Sequence, residues 1–134
     1  MSVYTPPFDK DTFVKGQMKL RLSVSSDCPD TSFYVRVSIK KREYTYALRH
    51  DITSLGYALG EYEVGKTVSL DFCFDEYAFL IGAGERLRLD ISATDDNTYV
   101  AHTNRRGEYY RQTGADIAEN KIHLGESFLV LPVE

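Results

Sequence analysis

Apolar and polar residues alternate with a period of two along most of the chain. Between positions 17 and 26, Met18, Leu20, Leu22 and Val24 alternate with Lys19, Arg21, Ser23 and Ser25. Successive side chains of an extended strand point to opposite faces, so this segment reads as a half-buried strand. The same pattern predicts a second strand carrying Phe33, Val35, Val37 and Ile39, and a third marked by Tyr44, Tyr46 and Leu48. A fourth carries Val68, Leu70, Phe72 and Phe74, and a fifth Leu87, Leu89, Ile91 and Ala93. Short strands are expected at 98–102, 120–124 and 127–133. Helical signals reduce to one turn over 76–81, before Gly82-Ala83-Gly84 breaks it. Turn residues separate the strands: Asp27-Cys28-Pro29-Asp30, Gly60, Gly65 and Gly125. Seven or eight short antiparallel strands with one apolar face each must cover that face with a second sheet. The pattern therefore predicts an all-β fold, a jelly-roll β-sandwich of two packed antiparallel sheets. Leu22, Val24, Val35, Val37, Leu70, Phe72, Leu89, Ile91, Leu129 and Leu131 are its expected core.

Two stretches interrupt the alternation, 51–62 and the longer 95–118. The second carries Tyr99, Arg105, Arg106, Tyr109, Tyr110 and Arg111. Long polar loops on a rigid sandwich are where binding concentrates. The chain has ten Tyr, seven Phe and no Trp, and many of the Tyr fall in connections rather than on inward strand positions. Tyrosine buries area while keeping a polar tip, which suits interfaces. Those six residues are the candidate domain-docking surface, with Tyr57 and Tyr62 as neighbours; the alternative is that these rings fold back over the edge of their own sandwich.

Its 134 residues make one domain, 1–134, with 1–15 as an opening segment. Sixteen basic against 20 acidic residues give a net charge of −4, which argues against a nucleic-acid partner. No apolar run reaches the roughly 18 residues of a membrane span, and the N-terminus has no basic-then-apolar signal pattern. Two cysteines, Cys28 and Cys73, make no disulfide framework; free thiols and a cytoplasmic location are expected.

The chemistry of catalysis is missing from the pattern. A serine nucleophile on a strand-to-helix elbow needs Gly-x-Ser-x-Gly; Gly125-Glu126-Ser127 lacks the second glycine and leads into a strand. His50, His102 and His123 fit no zinc spacing. His123 is expected to face solvent, and His102, in the long loop, is the one histidine worth watching. Asp95-Asp96-Asn97, joined by Asp27 and Asp30, offers oxygens of the kind calcium takes, but without the punctuation of a calcium loop it reads as a turn. Arg105-Arg106 beside Tyr109-Tyr110 has the look of an anion platform, against which the acidic net charge argues. No catalytic residue, cofactor site or metal site is expected.

The order of motifs resembles the C-terminal non-catalytic domain of the X-Pro dipeptidyl-peptidase and cocaine-esterase-type acyl hydrolase family. Thr5-Pro6-Pro7-Phe8-Asp9 resembles its opening, and Ser25-Ser26-Asp27-Cys28-Pro29-Asp30-Thr31 its turn between the first two strands. Glu63-Val64-Gly65-Lys66, the segment ending Glu85-Arg86-Leu87-Arg88-Leu89, Asn104-Arg105-Arg106-Gly107 and the closing Ser127-Phe128-Leu129-Val130-Leu131-Pro132 follow in the family's order. After Ile91-Ser92 the family commonly runs Ser-Ser-x-Phe-Pro, where this chain has Ala93-Thr94-Asp95-Asp96-Asn97.

The resemblance implies a galactose-binding-domain-like jelly roll, excised from a larger hydrolase that carries its Ser–Asp–His triad elsewhere. It implies packing on an α/β-hydrolase catalytic domain, shaping of its substrate cleft, or support of a homo-oligomer. A carbohydrate-binding module is the alternative, weakened by the absence of Trp. A free-standing enzyme is the third reading.

Overall fold

The computed structural model describes residues 1–95 and 97–134. Among the described residues, ten strands and one short α-helix follow one another: β1 (Ser2–Tyr4), β2 (Thr12–Gly16), β3 (Lys19–Ser26), β4 (Ser32–Lys40), β5 (Thr45–Ser54), α1 (Leu55–Leu59), β6 (Val68–Cys73), β7 (Tyr77–Ile81), β8 (Arg86–Ser92), β9 (Asn120–Ile122) and β10 (Phe128–Val130). All pairings among them are antiparallel. One sheet has the order β1-β8-β4-β5, a second is built on β3 with β6 along one edge, and β2 pairs with β7.

Both β9 and β10 pair with β3, β9 along Val24–Ser26 and β10 along Lys19–Arg21. Between them Ser127 fills the ladder with a side chain. Its hydroxyl accepts from the Ser23 N–H at 2.9 Å and donates to the His123 carbonyl at 2.9 Å. That use of the hydroxyl is structural.

The alternation predicts the core well where a strand is long. Val35, Val37 and Ile39 of β4 and Leu87 and Ile91 of β8 meet Leu20, Leu22 and Val24 of β3 and Leu70 and Phe72 of β6 in one buried cluster. Val14, Met18, Phe74, Phe79 and Ile81 extend it. A register shift at Val37/Ser38 gives β5 one extra residue, which buries Leu48.

Several expectations are corrected. The 76–81 segment is not a helical turn but strand β7: Phe79 and Ile81 are buried, and its partner is β2, in the opening segment. A five-residue apolar run is ambiguous alone, and the distant partner decides it. The connection expected over 51–62 begins later, because β5 runs to Ser54 and α1 follows. No strand forms at 98–102. His123 is half-buried, its Nε2 beside the Ser25 hydroxyl at 3.1 Å. Leu89, Leu129 and Leu131 are half-buried rather than fully inside. Leu89 and Leu129 border an open apolar cleft of about 190 Å³ between β1–β8 and β10, where short strands do not seal the sandwich.

Candidate functional site

Three connections gather at one end of the sandwich: the turn after β3, the α1 segment, and the long passage from β8 to β9. Asp30 joins the first two. Its Oδ1 accepts from the N–H of Thr31 at 2.9 Å and of Gly56 at 2.7 Å. Its Oδ2 lies 3.5 Å from His102 Nε2, which brings in the third. Burial pushes the Asp30 carboxyl up, but the His102 contact and the two N–H groups outweigh it and hold it below the usual carboxylate range. Gly56 must lack a side chain, since a Cβ there would fall 2.4 Å from Asp30 Oδ2. The Ser54 hydroxyl caps α1 by accepting from the Tyr57 N–H at 3.1 Å.

The long loop is a built object. Asn104, at φ +63°, donates its N–H to His102 Nδ1 at 2.9 Å, accepts from the Thr31 hydroxyl at 2.8 Å and donates to the Asp116 carbonyl at 2.7 Å. Asparagine tolerates that left-handed conformation better than most residues. Both ring nitrogens of His102 are thus committed to scaffolding. Gln112 Nε2 donates to the Gly107 carbonyl at 2.9 Å and closes the turn before Tyr109–Arg111, a single 3-10 turn.

The candidate docking residues divide into two groups. Arg105 forms a two-pronged pair with Asp116, each prong 2.9 Å. Arg106 donates to the carbonyls of Pro29 at 3.2 Å and Tyr62 at 2.7 Å, tying the loop to the sandwich. Tyr99 folds back, its ring 6.0 Å from that of Tyr34. Tyr62 is buried, and its hydroxyl accepts from the Ser26 N–H at 3.0 Å and donates to the Lys66 carbonyl at 2.8 Å. These four hold the loop in place. Tyr109 and Tyr110 remain outside, 59% and 75% exposed, and α1 adds Tyr57 at 90%. Arg111 pairs with Glu108 at 2.9 Å and lies over the Tyr110 ring at 5.3 Å; the Tyr110 hydroxyl donates to the same carboxylate at 2.7 Å. These bonds stiffen the Tyr110 ring. Val100 and Ile117 are exposed on the same loop.

Asp27 and Asp95, the other described carboxylates of the acidic cluster, make bonds within the chain. Asp27 Oδ1 accepts from the Glu119 N–H at 2.7 Å, and Asp95 Oδ2 from the Thr98 hydroxyl at 2.8 Å. Asp96, the middle of the Asp95-Asp96-Asn97 cluster, lies outside the described residues. Sequence reasoning missed the Asp30–Gly56–His102 junction. Asp30 looked like an ordinary turn residue, and nothing in the pattern points from it to a glycine 26 positions later.

The family model for the X-Pro dipeptidyl-peptidase C-terminal non-catalytic domain matches residues 2–129. Comparison with curated protein sequences finds no match. Among solved structures, an α-amino acid ester hydrolase superposes with a TM-score of 0.89 at 13% identity, over 100% of this chain and 25% of that one. An aminopeptidase from a marine sediment Thaumarchaeota archaeon gives 0.88 at 14%, over 100% and 25%. A CocE/NonD family hydrolase from Staphylococcus aureus gives 0.73 at 15%, over 100% and 30%. These likenesses carry the fold. The chain spans 25–30% of the length of these proteins.

Proposed function

This chain belongs to the X-Pro dipeptidyl-peptidase C-terminal non-catalytic domain family, and on that premise we propose that it is the accessory sandwich of a larger serine hydrolase, an acyl esterase or X-Pro dipeptidyl-peptidase. It packs on the α/β-hydrolase domain and helps to shape the substrate cleft; the parent polypeptide supplies the nucleophile. The observation that carries the reading is the loop end. Tyr57, Tyr109 and Tyr110 stand in solvent on a scaffold whose arginines and polar side chains are spent on holding it. Rigid exposed tyrosines are characteristic anchors of interfaces, and interdomain faces of roughly 600–1,500 Å² are the norm. Cys28 and Cys73 are both unpaired, which supports a reducing compartment, the cytoplasm.

The test is association in trans. The chain and the hydrolase portion of its own reading frame are made as separate polypeptides and titrated by calorimetry. A Tyr109→Ala/Tyr110→Ala pair should weaken association by about 30-fold or more. Unchanged affinity means that the docking face lies elsewhere.

A further inference from the structure

The outer face of the β1-β8-β4-β5 sheet is predominantly cationic on a chain of net negative charge. Val35, Val37 and Ile39 of β4 and Leu87 and Ile91 of β8 point into the core. Arg36, Ser38 and Lys40, and Arg86, Arg88 and Asp90, therefore lie on the outer side of the sheet, where Ser38 is itself buried. The register sets Arg36 opposite Asp90, Ser38 opposite Arg88, and Lys40 opposite Arg86. Four cations and one carboxylate share a strip two strands wide, while the whole chain carries −4.

Asp90 is engaged through Oδ1, while its Oδ2 is buried without a hydrogen bond and has only Arg36 nearby. Arg88 lies 2.8 Å and Arg36 3.5 Å from its oxygens, and the Ser2 hydroxyl donates to it at 2.5 Å. Among the described residues Lys40 and Arg86 enter no salt bridge. They stand directly across two strands, where like charges destabilise an isolated sheet. Arg36 Nε is also buried without a hydrogen-bond partner. The strip runs into the loop end: His50, opposite Arg36, lies 5.8 Å from the Tyr34 ring, and Tyr34 supports Tyr99.

We propose that this strip is a second contact of the docking surface and receives a carboxylate-bearing face of the hydrolase portion. The inference rests on the docking reading for the identity of its partner, not for its charge. Guanidinium forks match carboxylates in pairs, and a folded acidic face relieves the Lys40–Arg86 repulsion locally. Nucleic acid does not fit: it would extend over a net-negative chain beyond four cations.

The probe is tetraglutamate, titrated into the ¹⁵N-labelled chain at low salt, with tetralysine and inorganic phosphate as controls. Amide shifts should concentrate at 36–40 and 86–90 with tetraglutamate alone and fade as salt rises to about 200 mM. Arg86→Glu and Lys40→Glu each place opposite charges across the strands. Each should raise the melting temperature by about 1–3 °C and weaken tetraglutamate binding at least about tenfold. Dispersed shifts, an equal response to phosphate, unchanged binding in the variants, or a lowered melting temperature would overturn the inference. So would salt-sensitive self-association in sedimentation, which would assign the strip to a second copy. If the Tyr109/Tyr110 variant leaves association in trans intact while the tetraglutamate results hold, the tyrosine loop is not the docking face and the carboxylate site stands. The reverse pattern removes only the carboxylate site.

Discussion

Replacing Asp30 by alanine should loosen the end of the sandwich on which the docking loop is built. The side chain accepts two backbone N–H groups, from Thr31 and Gly56, and faces His102. Removing it strands two largely buried donors, each of which costs about 1–3 kcal/mol. Partial access of water to α1 reduces the sum, so the expected loss is about 2–4 kcal/mol, or roughly 6–16 °C in melting temperature. Asp30→Asn keeps the Oδ1 acceptor and should lose only about 1 kcal/mol. Gly56 supplies a sharper test. A Cβ at Gly56 meets Asp30 Oδ2 at 2.4 Å, so Gly56→Ala displaces the pinned carboxylate and destabilises the wild type. In the Asp30→Ala background the obstacle is gone, and alanine in α1 should become neutral or stabilising by up to about 1 kcal/mol. Urea unfolding of the four proteins gives the coupling energy directly. Additive effects, or an Asp30→Ala loss no greater than that of Asp30→Asn, would refute the junction as described.

Three further outcomes follow from the structure. Leu22→Ala, at a fully buried position, should cost about 3–5 kcal/mol in thermal or urea unfolding, and Leu89→Ala, beside the open cleft, about 1–2 kcal/mol; equal losses would mean that the cleft is closed in solution. The depressed Asp30 carboxyl contributes stability that is full above its unfolded value near pH 4 and is lost as pH falls through its lower folded value, so acid melts of wild type and Asp30→Asn should converge at low pH. The isolated chain should hydrolyse neither p-nitrophenyl esters nor X-Pro anilides, because the Ser127 hydroxyl is held between Ser23 and His123; turnover abolished by Ser127→Ala would contradict that role.

The long strands were legible because their alternation is complete within the strand: Leu20, Leu22 and Val24, or Val35, Val37 and Ile39, need no partner to reveal an inward face. Short strands were not. Neither β2 nor β7 is convincing alone, and their pairing spans more than sixty residues of chain. Half-burial of Leu89 and Leu129 likewise depends on how short β1 and β10 are, which alternation does not report. At the candidate site, the spacing of Tyr and Arg marked the loop but not the division of labour inside it. Arg105 and Arg106 carry the same charge and the same local pattern as Arg111. Only the folded chain places Asp116 and the carbonyls of Pro29 and Tyr62 where they absorb the first two. The basic strip was hidden for the same reason, since Lys40 and Arg86 become neighbours only through strand register.

The central claim is that the loop end is covered in the parent protein, and hydroxyl-radical footprinting tests it most directly. Oxidation of Tyr57, Tyr109 and Tyr110 is quantified by mass spectrometry in the isolated chain and in the full-length polypeptide, with exposed Phe128, on β10 of the second sheet, as an internal reference. The account predicts ready oxidation of all three in isolation and strong protection of Tyr109 and Tyr110 in the full-length protein, with Phe128 unchanged. Equal oxidation of Tyr109 and Tyr110 in the two forms would contradict it.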